Sequence, residues 1–176
     1  MKNKTLITLG LAIALCASCQ NAFAADAKEA KASASEKAFM KKAADGGMTE
    51  VELGKLAADK GGSQEVKDFG DKMVKDHTKI GDNLKEVAGK LDVALPEKVS
   101  EKHQAKIDKL GKMSGASFDK TYVNEMVMAH EKDIASFEKA GKEAKNEDLK
   151  NFIDDSVPTM KEHLEMVKKF SQAKKE

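Results

Sequence analysis

The sequence predicts an all-α fold, a four-helix bundle with a short extra helix in its one long crossover. Three observations carry that reading. Apolar residues recur at alternating steps of four and three along four long segments, the rhythm of helices packed at about 20° in a bundle. The 176 residues, 35% charged and only 5% aromatic with no Trp, suit helices with solvated outer faces, in one domain. The connections between segments are short, long, short, as a bundle with one crossover requires.

The chain opens with "MKNK", a basic stretch, then "TLITLGLAIAL", an apolar run, then "NAFA" before Ala25, whose small-x-small form suits a cleavage site. Residues 1–24 therefore read as a signal peptide, and the protein as exported to the periplasm or the outer membrane region. The apolar run is short for a bilayer span, and no second candidate follows, so no transmembrane span is expected in the mature chain. Cleavage after Ala24 would remove both cysteines, Cys16 and Cys19, leaving 29 lysines against 30 acids and a net charge of −1. A rival reading takes "LCASC" as a lipoprotein signal that anchors the chain through Cys19, with Ser18 before it; Cys16 stands where such signals usually carry Leu.

Residues 25–35 lack an apolar stripe and read as a flexible leader, with the bundle spanning 36–174. The first segment runs from about Ser35 to Lys60, with Phe39, Ala43, Gly46, Glu50, Leu53 and Ala57 on its seam, and stops at Gly61-Gly62. Within it, "DGGMTEVE" offers a break at Gly46-Gly47, with Thr49 and Glu52 as a restarting capping box. The second begins after Ser63, a candidate N-cap, and reaches about Leu91; Met73, His77, Ile80 and Leu84 lie on its seam. A loop around Pro96 leads to a short helix from Ser100 to about Met113, broken by "SGAS". The third long segment, about Phe118 to Ala144, carries Val123, Met126, His130, Asp133 and Phe137. Asn146, before Glu147 and Asp148, caps the fourth, which reaches about Gln172 and carries Leu149, Ile153, Met160, His163 and Val167. Pro158 should kink it one turn before His163. About 24 residues join the two hairpins, enough to run along a bundle about 40 Å long, which is ferritin-like connectivity.

Composition also excludes functions. Every cation among the 31 Lys+Arg is lysine, so the guanidinium fork that reads phosphate and guanine is missing. With a single Tyr and no Trp, stacking platforms are scarce, and no nucleic-acid partner is expected. No phosphate-loop spacing and no Ser-His-Asp arrangement can be read. Lysine-rich outer faces near neutral net charge are by default a solvated surface. His103, between Lys102 and Gln104, reads as exposed.

Three histidines fall on the seams of three different helices. Counted from the hairpin turns, Glu50 and His77 lie about 12 and 15 residues away, His130 and His163 about 15 and 18, so each pair differs by roughly one turn. His77, His130, His163 and Glu50 can thus meet in one layer, a plausible metal site. Met73, Met126 and Met160 each precede a histidine by about one turn and suggest a second layer of soft ligands, favouring copper or another transition metal. The competing reading is a structural layer: methionine as core filler, and neutral histidines satisfied by carboxylates or carbonyls of the next helix. Asp76, Glu131 and Glu162, adjacent to the histidines, should meet neighbouring helices.

The stretches "MVKDHT", "SGASFDKTYV" with the later "AHEKDI", and "MKEHL" resemble the bacterial exported family known as domain-of-unknown-function family 4142, often labelled outer-membrane proteins. The similarity covers about Phe39 to Phe170. It implies a ferritin-like bundle and transfers no catalytic residue. The di-iron version of that fold needs Glu-x-x-His on two helices; Val74, Val127 and Met160 stand where the glutamates belong. The expectation is therefore an exported, non-enzymatic bundle meeting an unknown protein or envelope partner. The alternative is a bundle that binds a transition metal in its histidine layer.

Overall fold

The computed structural model describes residues 31–173, so the signal peptide expected at 1–24, both cysteines and most of the expected leader lie outside the described residues. Five helices follow in order: α1 (Ala34–Lys60), α2 (Gln64–Lys90), α3 (Glu101–Gly111), α4 (Gly115–Glu143) and α5 (Glu147–Ala173). No helix among them is long and apolar enough to cross a membrane.

The starts of α1 and α5 are capped by side chains. Ser33 and Glu36 form a capping box on α1, so the helix begins inside the stretch expected to be a flexible leader. Asn146 Oδ1 accepts the Leu149 N–H at 3.0 Å and opens α5. Ser63 occupies the cap of α2, but its side chain makes no capping bond. Asp119 of α4 does that work instead, accepting the N–H groups of Gly62 (2.7 Å) and Ser63 (3.1 Å).

α1 runs unbroken through Gly46-Gly47, so the capping box at Thr49 does not form. Thr49 Oγ1 donates to the Asp45 carbonyl at 2.7 Å, bonding back onto the helix it was expected to restart. α4 starts three residues before Phe118, because Gly115, at φ 58°, makes the turn that "SGAS" was read to break. α5 continues through Pro158.

Contacts between helix ends settle the topology. The α1–α2 turn meets the start of α4, where Gly61 bridges Gly115. The α4–α5 turn meets the start of α1, where Glu36 Oε1 accepts from Lys145 (2.9 Å) and Asn146 (3.1 Å). Lys90, at the end of α2, pairs with Asp148 at the start of α5. So α1 and α5 run one way and α2 and α4 the other, with α1 packed on α2 and α4, and α5 on α2 and α4. Residues 91–114 cross the length of the bundle between them, the connectivity expected of a ferritin-like bundle.

Asp45 pins the crossover helix to α1. It accepts the Ser100 N–H at 2.7 Å and lies 2.9 Å from His103 Nδ1. His103 is thus a half-buried docking residue, not the freely exposed one its polar neighbours suggested. α1 and α2 approach most closely at Gly54 and Gly70, where a Cβ on Gly70 would stand 2.6 Å from the Gly54 carbonyl oxygen. That contact requires glycine.

The core is divided. One apolar cluster, around Met40, Leu84, Phe137, Leu149, Phe152 and Met160, fills the end where α1 and α5 begin. Another, around Leu53, Phe69, Met73, Phe118, Tyr122 and Met126, fills the opposite end. Between them, each long helix contributes a buried ionisable residue: Glu50, His77, His130 and His163.

Candidate metal centre

The layer that helical counting predicts is present. His77, His130 and His163 are at most 3% exposed, and Glu50 is 5% exposed. Ring centroids stand 5.6 Å (His77–His130), 5.3 Å (His77–His163) and 5.5 Å (His130–His163) apart. Three imidazoles around one ion at the usual metal–nitrogen length of about 2.0–2.1 Å would place their centroids about 5.2–5.5 Å apart. The triangle has the size of a three-histidine metal site.

Hydrogen bonding orients the rings. His130 Nδ1–H donates to the Met126 carbonyl at 3.0 Å, which leaves Nε2 as a lone pair in the neutral ring. His163 Nε2–H donates to Asp76 Oδ2 at 2.9 Å, which leaves Nδ1 likewise. Those two free nitrogens face each other at 3.4 Å. A hydrogen bond between them would require one ring to be cationic, and burial opposes that. His77 Nδ1 lies 3.1 Å from Glu50 Oε2, so a Glu50 carboxylate accepts the one proton of a neutral ring when that proton is on Nδ1. When it sits on Nδ1, His77 Nε2 is a third lone pair. It meets no hydrogen-bond partner among the described residues. One nitrogen from each ring lies within 4.8 Å of the others, in the one His/Cys/Asp/Glu group of metal-binding geometry among those residues.

Electrostatics keep the rings neutral, as ligands must be. Burial, then the neighbouring imidazoles, hold His77 well below the ordinary histidine range. Burial, then His163, lowers His130 to about 4, against the bond to Met126. Burial lowers His163 too, with Asp76 pulling the other way. Glu50 moves in the opposite sense: burial, then the Asp133 charge, raises its carboxyl well above the usual range.

This pattern, in which each imidazole hands its second N–H to a carboxylate or carbonyl, is how metal-bound histidines are held in one tautomer. The Asp76 carboxylate is itself steadied by Lys72 at 3.0 Å, which reaches Glu162 at 3.1 Å. Glu131 pairs with Lys168 at 3.0 Å. All three acids adjacent to the histidines do meet other residues, and only Asp76 touches the layer.

The family match adds its part here. The chain belongs to the DUF4142 family. The model of that family, a domain of unknown function, matches residues 21–170. Neither the curated proteins nor the solved structures gave a match. Membership thus agrees with the resemblance and leaves the chemistry to the geometry.

One correction follows for the sequence reading. The methionines do not form one soft layer: Met73 and Met126 pack in one apolar cluster, Met160 in the other. The error lies in the antiparallel arrangement, since one turn before a histidine points toward opposite ends on α2 and α5. Glu50 lies in the layer, with Oε2 3.1 Å from His77 Nδ1 and Oε1 3.5 Å from His130 Nδ1. Asp119 and Glu36 were not singled out from sequence, and Asp133 was read only as a seam position. Their contacts are to backbone or carboxyl groups distant in the chain, which no spacing rule records.

Proposed function

We propose that the protein is an exported, non-enzymatic bundle that binds one divalent transition-metal ion through His77 Nε2, His130 Nε2 and His163 Nδ1. The observation that carries this reading is the convergence of three neutral imidazoles whose other nitrogens are already engaged. Imidazole donors suit zinc, cupric, nickel and ferrous ions. Without a methionine ring in the layer, a preference for cuprous copper loses its basis. Among the described residues Glu50 and Asp76 act as orienting partners that fix the tautomers and raise ligand basicity.

The test is titration of the purified protein with zinc, cupric, nickel and ferrous ions, beside a variant with His77, His130 and His163 all changed to Ala. We expect one ion per chain in the unsubstituted protein and none in the variant. At one hundred times Kd, the ion adds about 2.7 kcal/mol of stability, which for a chain of this size raises Tm by roughly 5–10 °C. Absence of stoichiometric binding, with Tm unchanged by every ion, would leave the structural polar layer as the answer. That second reading is favoured by one observation, that each ring already has at least one protein partner.

Export rests on the n-region, apolar run and Ala-rich cleavage site of residues 1–24. Mass spectrometry of the mature N-terminus distinguishes its two forms, with Ala25 expected and a lipid-modified Cys19 pointing to an anchored protein.

A further inference from the structure

Gly46 and Gly47 have no evident structural purpose. Two glycines in the middle of a 27-residue helix cost roughly 1 kcal/mol each against alanine. Neither has a positive φ. A Cβ on Gly47 would meet nothing within 4 Å, and one on Gly46 would meet only Asp133 Oδ2, at 3.9 Å. The contrast with Gly54 and Gly70, where backbone would clash, is plain.

What the two missing side chains leave is space. A cavity of about 30 Å³ lies among α1, α2, α4 and α5, where Gly46, Gly47, Asp133, Glu50 and His77 line it together with Lys42 and apolar side chains. That volume admits one or two waters, or an ion that has shed most of its hydration shell. Asp133 is half-buried there. Glu50 lies deeper, and its buried Oε1 has no hydrogen-bond partner among the described residues. Glu50 also bridges inward, with Oε2 3.1 Å from His77 Nδ1 and Oε1 3.5 Å from His130 Nδ1.

We propose that the metal ion reaches the histidine layer through this gap, with Asp133 and Glu50 as successive carboxylate stations beneath Gly46 and Gly47. The proposal rests on the metal-binding reading and adds its route. An ion losing water must gain other donors as it goes, because a desolvated charge in an apolar core is prohibitively costly. Carboxylate oxygens at the mouth and at mid-depth supply them, and imidazole nitrogens lie at the end. Side chains at 46 and 47 would obstruct the passage.

The experiment is stopped-flow loading and chelator-driven release of cobaltous ion, followed by its visible absorbance, with Kd measured separately. Gly46→Leu should slow loading and release together at least tenfold, with Kd within twofold of the original, because a plug raises the barrier in both directions. Gly46→Ala should keep both rates within twofold. Asp133→Asn, nearly isosteric, should slow loading at least fivefold and weaken its dependence on ionic strength. If Gly46→Leu fails to fold, Asp133→Asn decides alone. Unchanged rates in the folded variants, with binding intact, would overturn the route and leave the metal site standing. Absence of equilibrium binding by the unsubstituted protein would overturn both.

Discussion

Two glutamates on one helix, Glu36 and Glu50, are almost equally buried, 8% and 5% exposed, and end in opposite states. Burial would raise the Glu36 carboxyl, but Ser33, Lys145 and Asn146 surround it with N–H and O–H donors, and it falls to about 2. Glu50 has only the imidazole contact at His77 Nδ1, 3.1 Å away, and burial and the Asp133 charge raise it well above the carboxylate range. Burial alone therefore does not decide what a buried acid becomes. Its partners do. At the helix end, unsatisfied backbone N–H groups need an anion. In mid-bundle every backbone group is already bonded, so an acid there holds its proton or finds an imidazole or a cation.

That contrast can be broken most directly at the end cap. Glu36→Ala leaves the N–H groups of Ser33, Lys145 and Asn146 without their acceptor and unties the α4–α5 turn from α1. We expect a loss of about 3–4 kcal/mol, read as a fall in Tm of roughly 6–15 °C.

Acid unfolding sharpens the same comparison. Glu36 and His130 both have depressed folded pKa values, so each contributes stability that is present above its unfolded pKa and lost as pH falls through the folded one. For His130 the window is 6.5 to about 4, and for Glu36 it is 4.5 to about 2. Each shift corresponds to about 3 kcal/mol. Glu50, with a raised pKa, acts in reverse, stabilising below its unfolded value and losing that contribution as pH rises through the folded one. Chemical denaturation of the metal-free protein across pH 2–7 should resolve two descending limbs on acidification. Glu36→Gln should flatten the lower limb and leave the upper one in place.

The smallest expected effect is also the most diagnostic. Glu50→Gln replaces a buried acid with a neutral acceptor, so the metal-free protein should keep or slightly gain stability at pH 7–8. Metal affinity should nonetheless fall roughly 10–100-fold, since the group orienting His77 loses its charge. Glu36→Gln should do the converse, lowering Tm with Kd unchanged. Isothermal titration and thermal melts of the two variants check both halves; parallel behaviour would refute the distinction.

Much of this was legible in the chain. Steps of four and three placed His77, His130 and His163 on inward faces, and counting from the hairpin turns brought them to one depth with Glu50, because helical rise is constant. Asn146 as a cap and the long crossover were readable for similar local reasons. The same counting failed for Met73, Met126 and Met160, because it ignored that α5 runs against α2 and α4. It also missed Asp119, which caps α2 from α4, and Glu36, which ties the α4–α5 turn to α1. Those partners lie more than 50 residues away in sequence.

The sequence by itself determined the helices, their buried faces and the height at which the polar residues meet, since all three follow from periodicity and the 1.5 Å rise. Only the tertiary structure decided which nitrogen of each histidine is engaged, that the Glu36 carboxyl is lowered while that of Glu50 is raised, and which residues share the space beside Gly46 and Gly47. Those outcomes depend on atoms brought together from four helices, and on the local dielectric that their packing creates.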